Sequence, residues 1–551
     1  MPEVTMDHSP NQAHACPLLI KQLLHTPLAV CPEQQIVYRD LKRHSYWTLR
    51  HRLGQLASAL RGSGVEPGDT VAVMDWDSHR YLEAYFAVPM MGAVLMTVNV
   101  RLSPEQILYT LNHSKARALL VHSEFLPLLQ SIADKLQTVD VFVLLDDAEP
   151  AQALPGTFTG EYEALLAAAS PDYDFPDFDE NTRATTFYTT GTTGLPKGVF
   201  FSHRQIVLHT LAATAALCSA GSQGRIHRDD VYMPITPMFH VHAWGMPYVA
   251  TLLGLKQVYP GRYSPDGLLG LIQREKVTFS HCVPTVLHML LSSPVAQQLD
   301  LHGWKVIVGG SALPRGLAQA AVERGIDIFS GYGMSETCPI LTIAQVKTPM
   351  LADAERALDI RARAGLPIPL VELRTVDEQM HDTPHDGTSP GEVVARAPWL
   401  TQGYLQNPQA SQALWAGGWL HTNDIGVIDA EGYLQVTDRL KDVIKTGGEW
   451  VSSLALEDLL SRHPAVSEAA VIGVKDDKWG ERPMALVVLK PAHAGQVDKA
   501  EIQRHLKTFA DIGEISRYAV AEHVLFVDAL AKTSVGKLNK KLMRETYASA
   551  L

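Results

Sequence analysis

An α/β multidomain fold is predicted: a large N-terminal domain of α/β layers that includes a small β-rich subdomain, then a small α+β C-terminal domain. Three observations predict it. At 551 residues the chain is too long for one ordinary core, and roughly 150 residues per domain suggests three or four packed units. Short β-rich runs alternate with helical segments through residues 71–145 and again through 276–314, as βα units on mostly parallel sheet do. From about residue 365 short strands with turn-rich joints take over, and the pattern changes again near residue 438.

Taken in order, VAVM (71–74), RALLVHS (117–123) and VFVLL (141–145) read as strands, with HRYLEAYFAV (79–88) and PEQILYTLN (104–112) as the helices between them. The small-residue run AAAS (167–170) and the Pro/Asp stretch 171–177 read as a linker. KVTFSHCVP (276–284) precedes the helical TVLHMLLSS, and WKVIVGG (304–310) precedes a helix opened by Pro314. VELRTV (371–376) and GEVVARA (391–397) form the β-rich subdomain, about 365–437. The boundary falls at 438–441, giving a large domain of 1–438 and a small one of 439–551 that carries a helix at 453–463 and strands at 468–474 and 483–490.

Composition narrows the function classes. With 46% hydrophobic and 19% charged residues the chain is neither disordered nor fibrous. A formal charge of -12 gives no broad basic field, which argues against nonspecific nucleic-acid binding. Five scattered cysteines with no CxxC pair suggest neither a disulfide framework nor a zinc site, and fit a reduced compartment. The polar N-terminus is not a secretory signal, and no apolar stretch reaches the roughly 20 residues of a membrane span. A cytoplasmic protein is expected, with peripheral membrane contact left open.

The most informative segment is YTTGTTGLPKG (188–198). Glycines let backbone N–H groups turn toward an anion, threonines add hydroxyl donors or a magnesium ligand, and Lys197 supplies charge. A Walker loop needs Gly-Lys adjacent and followed by Ser or Thr; here Pro196 separates Lys197 from Leu195 and Gly194. A second strand follows, then a capping box from Ser202 to Gln205 that starts a helix, so the loop is expected to join two strands. The bland alternative is an ordinary Gly/Thr turn.

Further motifs follow in order: PMFHVHAWG (237–245), VGGSA (308–312), GYGMSET (331–337), GWLHTNDIG (418–426), DRLKDVIKTGGEW (438–450) and KTSVGK (532–537). With the Gly/Thr loop they resemble, over nearly the whole chain, the adenylate-forming superfamily of acyl-CoA synthetases, luciferases and peptide-synthetase adenylation domains. The overall pattern is most similar to medium- and long-chain fatty acyl-CoA synthetases.

The resemblance implies an AMP-forming acid–thiol ligase that uses ATP, Mg2+ and coenzyme A. It assigns Thr189, Thr190, Gly191, Thr192, Thr193 and Lys197 to the phosphates; Gly310, Ser311, Ala312, Ser330, Gly331 and Ser335 to the nucleotide; and Tyr332 to stacking on adenine. Thr189 and Glu336 would hold magnesium, a hard cation suited to oxygen ligands. Asp424 would take the ribose hydroxyls, because a carboxylate accepts two hydrogen bonds from a diol. Arg439 would add a donor, Lys441 would be the hinge between domains, and Lys445 and Trp450 would contact the nucleotide. Lys537 matches the mobile catalytic lysine, with Glu336 and Thr189 completing the catalytic set. His240, Trp244 and Gly309 would line the acyl pocket, and Gly447, Gly448 and Glu449 the coenzyme A region.

Alternative readings remain at single positions: a solvated Glu336, a turn aspartate at Asp424, a charged strand-to-helix joint at 438–445, and satisfied core histidines at His240 and His242. Ala531 stands where the family usually has proline, which is expected to loosen the loop carrying Lys537, while Thr190 and Ser335 exchange one hydroxyl for another. The implied substrate is a fatty acid, the alternatives being an aryl or short-chain acid, or an inactive nucleotide-binding regulator. Related long-chain enzymes suggest a homodimer.

Overall fold

The computed structural model describes residues 16–148, 158–189, 195–219, 221, 224–446, 449–476, 478–533 and 537–547. Among them, two large sheets carry the N-terminal part. One runs through strands Gly160–Glu161, Val141–Leu145, Ala116–His122, Thr70–Met74, Val94–Thr97, Arg183–Thr189 and Lys197–Ser202, in that spatial order. All neighbours are parallel except the last pair, which is antiparallel. Central strands such as Thr70–Met74 are buried along their whole length, as parallel strands covered on both faces require. The helices between them start on side-chain caps: Ser78 accepts from Tyr81 N–H, and Ser103 with Gln106 forms a capping box ahead of Pro104.

The other sheet, nine strands wide among the described residues, has at its centre Lys305–Gly309 between Phe279–Cys282 and Asp327–Gly333, all parallel. One continuous apolar core joins residues of both sheets, from Val71 and Leu119 to Trp244 and Phe329. A buried ion cluster ties the helices over the first sheet together, with Arg52 donating to both Glu83 and Glu163.

The expected β-rich unit is a four-stranded antiparallel sheet of Glu372–Val376, Gly391–Arg396, Leu420–Ile428 and Leu434–Arg439. The final sheet contains Val466–Asp476 and Gly480–Leu489 as a long hairpin, with His523–Phe526 parallel to the latter. Helix Ser453–Ser461 packs on that hairpin. Asp438 reaches this helix from the preceding sheet, accepting from the Ser453 amide at 2.6 Å and its hydroxyl at 2.7 Å. The Arg315 amide donates to Asp458, adding a polar contact between the C-terminal residues and the rest, while Arg544 to Asp442 ties the last helix to the start of the C-terminal residues.

Candidate active site

The carboxyl ends of parallel strands are where open α/β sheets place ligands, and here two of them meet the C-terminal residues. Gly309, the last residue of its strand, lies in register with Gly331 of the neighbouring strand. A Cβ on Gly309 would lie 2.6 Å from the Gly331 carbonyl oxygen and 3.1 Å from the Trp244 ring, so no larger residue fits. Gly310 has φ +81°, and a Cβ there would lie 3.0 Å from Lys537 Cε. Lys537 therefore lies directly over the strand-end turn, 227 residues before it in the chain. Ser311 and Ala312 follow in an exposed turn.

Bonds between its flanking residues hold Lys537: Lys532 bridges to Leu538, the Lys537 amide donates to Thr533 Oγ1 at 3.2 Å, and the Asn539 amide donates to Ala531 O at 2.8 Å, where Ala531 stands in place of the family's usual proline.

Around the lysine the carboxyls are buried and paired. Tyr332 Oη donates to Asp424 Oδ2 at 2.8 Å, and Arg439 Nε lies 3.3 Å from Asp424 Oδ1. Asp424 sits on the strand opposite Arg439, so strand register sets that pair. Glu336 is buried, which excludes the solvated reading; its Oε1 accepts from Tyr404 Oη at 2.7 Å. Lys197 Nζ stands over the Tyr404 ring, 4.7 Å from its centroid. Burial raises the pKa of both carboxyls, opposed at Glu336 by Tyr404, Lys197 and Lys537 and at Asp424 by Arg439, Tyr332 and Lys537. Burial, then the Arg439 charge, lowers Lys537 to about 8, with Asp424 and Glu336 opposing. Ser330 Oγ is buried with no partner among the described residues, a hydroxyl free to meet a ligand.

The Gly/Thr segment does join two antiparallel strands, with Thr189 opposite Lys197. The Ser202–Gln205 capping box forms as expected, and helix His203–Ser219 follows. Thr190, Gly191, Thr192 and Thr193 lie outside the described residues, as do Gly447 and Gly448. Lys445 pairs with Trp450, and Thr446 with Glu449, across a short hairpin of the C-terminal sheet. Lys441 follows the strand ending at Arg439, in a turn held by Val443 N–H to Arg439 O.

His240, Trp244, Gly309, Gly331, Tyr332 and Lys537 line one pocket. Its free volume, about 30 Å³, is far below the roughly 300–1,000 Å³ typical of ligand sites. The wall is unusual. Val241, His242, Ala243 and Trp244 have φ of 50°, 55°, 47° and 59°, and Gly245 has 73°. This is a left-handed turn, closed by Ala243 N–H to His240 O at 3.1 Å and Gly245 N–H to His242 O at 3.0 Å. Left-handed backbone costs L-residues roughly 1–2 kcal/mol each, so surrounding packing must hold it. His242 is a core histidine but not a satisfied one: it sits among Tyr85, Phe187, Phe201 and Tyr248 with neither ring nitrogen partnered among the described residues. Burial, aided by Lys537 and Arg101 at His240 and by His209 at His242, pushes both imidazoles down to about 3. They are neutral at physiological pH.

Sequence reasoning missed Tyr404. Its segment, QGYLQNP, signals only a turn before the helix that Asn407 caps.

Two α/β sheets, a small β-rich sheet and a C-terminal unit delivering a lysine into their cleft define an adenylate-forming enzyme. The chain belongs to the AMP-binding enzyme family, which matches residues 25–405, while the AMP-binding enzyme C-terminal domain matches residues 455–537. It is 41% identical over 517 residues to a long-chain-fatty-acid–CoA ligase of Thermus thermophilus, covering 92% of this chain and 91% of that protein. It is 37% identical over 546 residues to a 3-methylmercaptopropionyl-CoA ligase of Ruegeria pomeroyi, covering 97% and 98%. The fold is similar to the crystal structure of an anthranilate CoA ligase in complex with anthranoyl-AMP, with a TM-score of 0.85 at 25% identity over 97% of this chain and 99% of that one.

Proposed function

We propose that this enzyme activates a medium- or long-chain fatty acid through an acyl-adenylate and transfers it to coenzyme A. The observation that carries the acid activation is Lys537 seated over the Gly309–Gly310 strand end beside the uncharged His240 and Trp244. In the first step the substrate carboxylate attacks the α-phosphorus of ATP and pyrophosphate leaves. In the second the coenzyme A thiol attacks the acyl carbonyl and AMP leaves. Lys537 offsets the negative charge gathered at phosphorus and carboxylate; Asp424 takes the ribose hydroxyls, beside the Tyr332 ring. Glu336 and Thr189 supply the oxygen ligands that a hard cation prefers and would hold Mg2+, which supplies positive charge at the phosphates. Because Lys537 occupies the space the thiol must enter, the C-terminal domain, residues 439–551, rotates about Lys441 between steps, bringing 447–449 to coenzyme A and Lys445 and Trp450 to the nucleotide.

The similarity to a ligase named for long-chain fatty acids supports the acid class. A smaller acid is the second reading, favoured by the narrow pocket and by the relative named for 3-methylmercaptopropionyl-CoA. The test is coenzyme A-dependent AMP formation with acids from acetate to oleate, and with benzoate. Highest kcat/KM at eight or more carbons is expected; a maximum at acetate, propionate or benzoate would reject the fatty-acid assignment. No helix among the described residues is long and apolar enough to cross a membrane, and we place the enzyme in the cytoplasm.

A further inference from the structure

The left-handed turn that forms the acyl wall is not held by its own side chains, since His242 lacks hydrogen-bond partners among the described residues. It is held at its entrance, from the other sheet. Met238 and Phe239 immediately precede His240, and three side chains grip their backbone. Asp77 Oδ1 accepts from the Met238 amide at 2.8 Å. Tyr85 Oη donates to the Met238 carbonyl, and Thr97 Oγ1 donates to the Phe239 carbonyl at 2.8 Å. All three gripping residues belong to the first βα units: Asp77 follows strand Thr70–Met74, Tyr85 lies on helix His79–Met90, and Thr97 ends strand Val94–Thr97.

The grip is braced in turn. Tyr263 Oη donates to Asp77 Oδ2, and the Gly261 amide donates to Asp77 O at 2.8 Å. Tyr248, just beyond the turn, donates to the Tyr85 carbonyl at 3.3 Å and stacks on the Tyr85 ring at 5.4 Å. Both flanks of residues 241–245 are therefore anchored to the same helix, while the turn between them carries Trp244 against Gly309. The free volume beside this wall is only about 30 Å³, so the placement of the turn bears directly on the space an acyl chain would take.

We infer that Asp77, Tyr85 and Thr97 are positioning residues for the acyl wall, setting acid affinity and chain-length preference through the backbone of Met238 and Phe239 without touching the acid. The inference rests on the acid-activating function proposed above. Tyr85→Phe/Thr97→Val removes two hydroxyl donors while nearly keeping side-chain shape, and leaves both carbonyls unpaired. Steady-state kinetics of this variant over saturated acids of four to sixteen carbons, with KM for ATP measured separately, tests it. Acid KM should rise about five- to tenfold, with the chain-length profile flattened severalfold and KM for ATP within about twofold of wild type. Should the double variant not fold, Thr97→Val alone should move acid KM the same way by a smaller factor, and Thr97→Ser should restore the wild-type profile. An unchanged chain-length profile overturns the inference alone. So does a parallel rise in acid and ATP KM, which marks general loosening. A wild-type enzyme that turns over no acid overturns the proposed function, and this inference with it.

Discussion

The two ends of the cleft bury polar groups by opposite strategies. At the end formed by Asp424 and Glu336, the buried groups are carboxyls, each given a tyrosine hydroxyl and flanked by a cation, so charge is kept and directed. At the end formed by His240 and Trp244, the buried groups are imidazoles stripped of charge by desolvation, and His242 lacks even a hydrogen bond among the described residues. One end suits a polyanion and its counter-charges; the other suits a hydrocarbon. Lys537 stands where they meet, where a carboxylate and an α-phosphate would have to be brought together.

The largest loss is expected on removal of the group at the junction. Lys537→Met should slow pyrophosphate release about 10²–10³-fold, the usual cost of one aimed charge, while thioester formation from supplied acyl-adenylate stays near wild type. Equal loss in both half-reactions would place Lys537 outside the adenylation chemistry. A smaller, nucleotide-specific effect is expected at the charged end. Asp424→Asn removes the carboxylate that Arg439 and Tyr332 address and should raise KM for ATP about ten- to a hundredfold with acid KM little changed. A rise in acid KM instead would dissolve the contrast between the ends.

Sequence reached the two ends unequally. The charged end was legible because its chemistry is local in the chain: a Gly/Thr hairpin, a Ser-Glu-Thr turn, and an Asp and an Arg placed opposite by the pairing of adjacent strands. The alternating pattern likewise revealed the parallel strands and the change to antiparallel sheet after residue 365. The acyl end was legible only as a list of residues. Val241, His242, Ala243 and Trp244 carry no glycine or asparagine to announce left-handed backbone. The backbone just ahead of it, Met238 and Phe239, is held by Asp77, Tyr85 and Thr97, between 142 and 161 residues away in the chain. Tyr404 escaped notice for the same reason, its partner Glu336 being 68 residues distant.

The smallest of the expected effects tests whether the acyl end is dry. His209, His240, His242 and His281 are all pushed to about 3 in the folded protein, against about 6.5 when unfolded. Below pH 6.5 the unfolded chain takes up protons that these folded imidazoles refuse, so their contribution is fully present above pH 6.5 and is lost as pH falls toward 3. Asp77 works the other way: burial raises it to about 7, so its contribution is present below about 4 and lost as pH rises through 7. His44 and His203, pushed to about 4, join the histidine side, and the raised Glu336, Asp424, Asp438 and Glu457 join Asp77 in partial offset; the histidines leave a net loss on acidification, and Tm should drop on the order of 5 °C between pH 7.5 and 5.0. His242→Met, which takes one imidazole out of the aromatic box, should make that drop shallower. A Tm that holds steady to pH 5.0, or the same drop in both proteins, would mean that these imidazoles take up protons where they stand, and that the wall facing the acyl chain admits water.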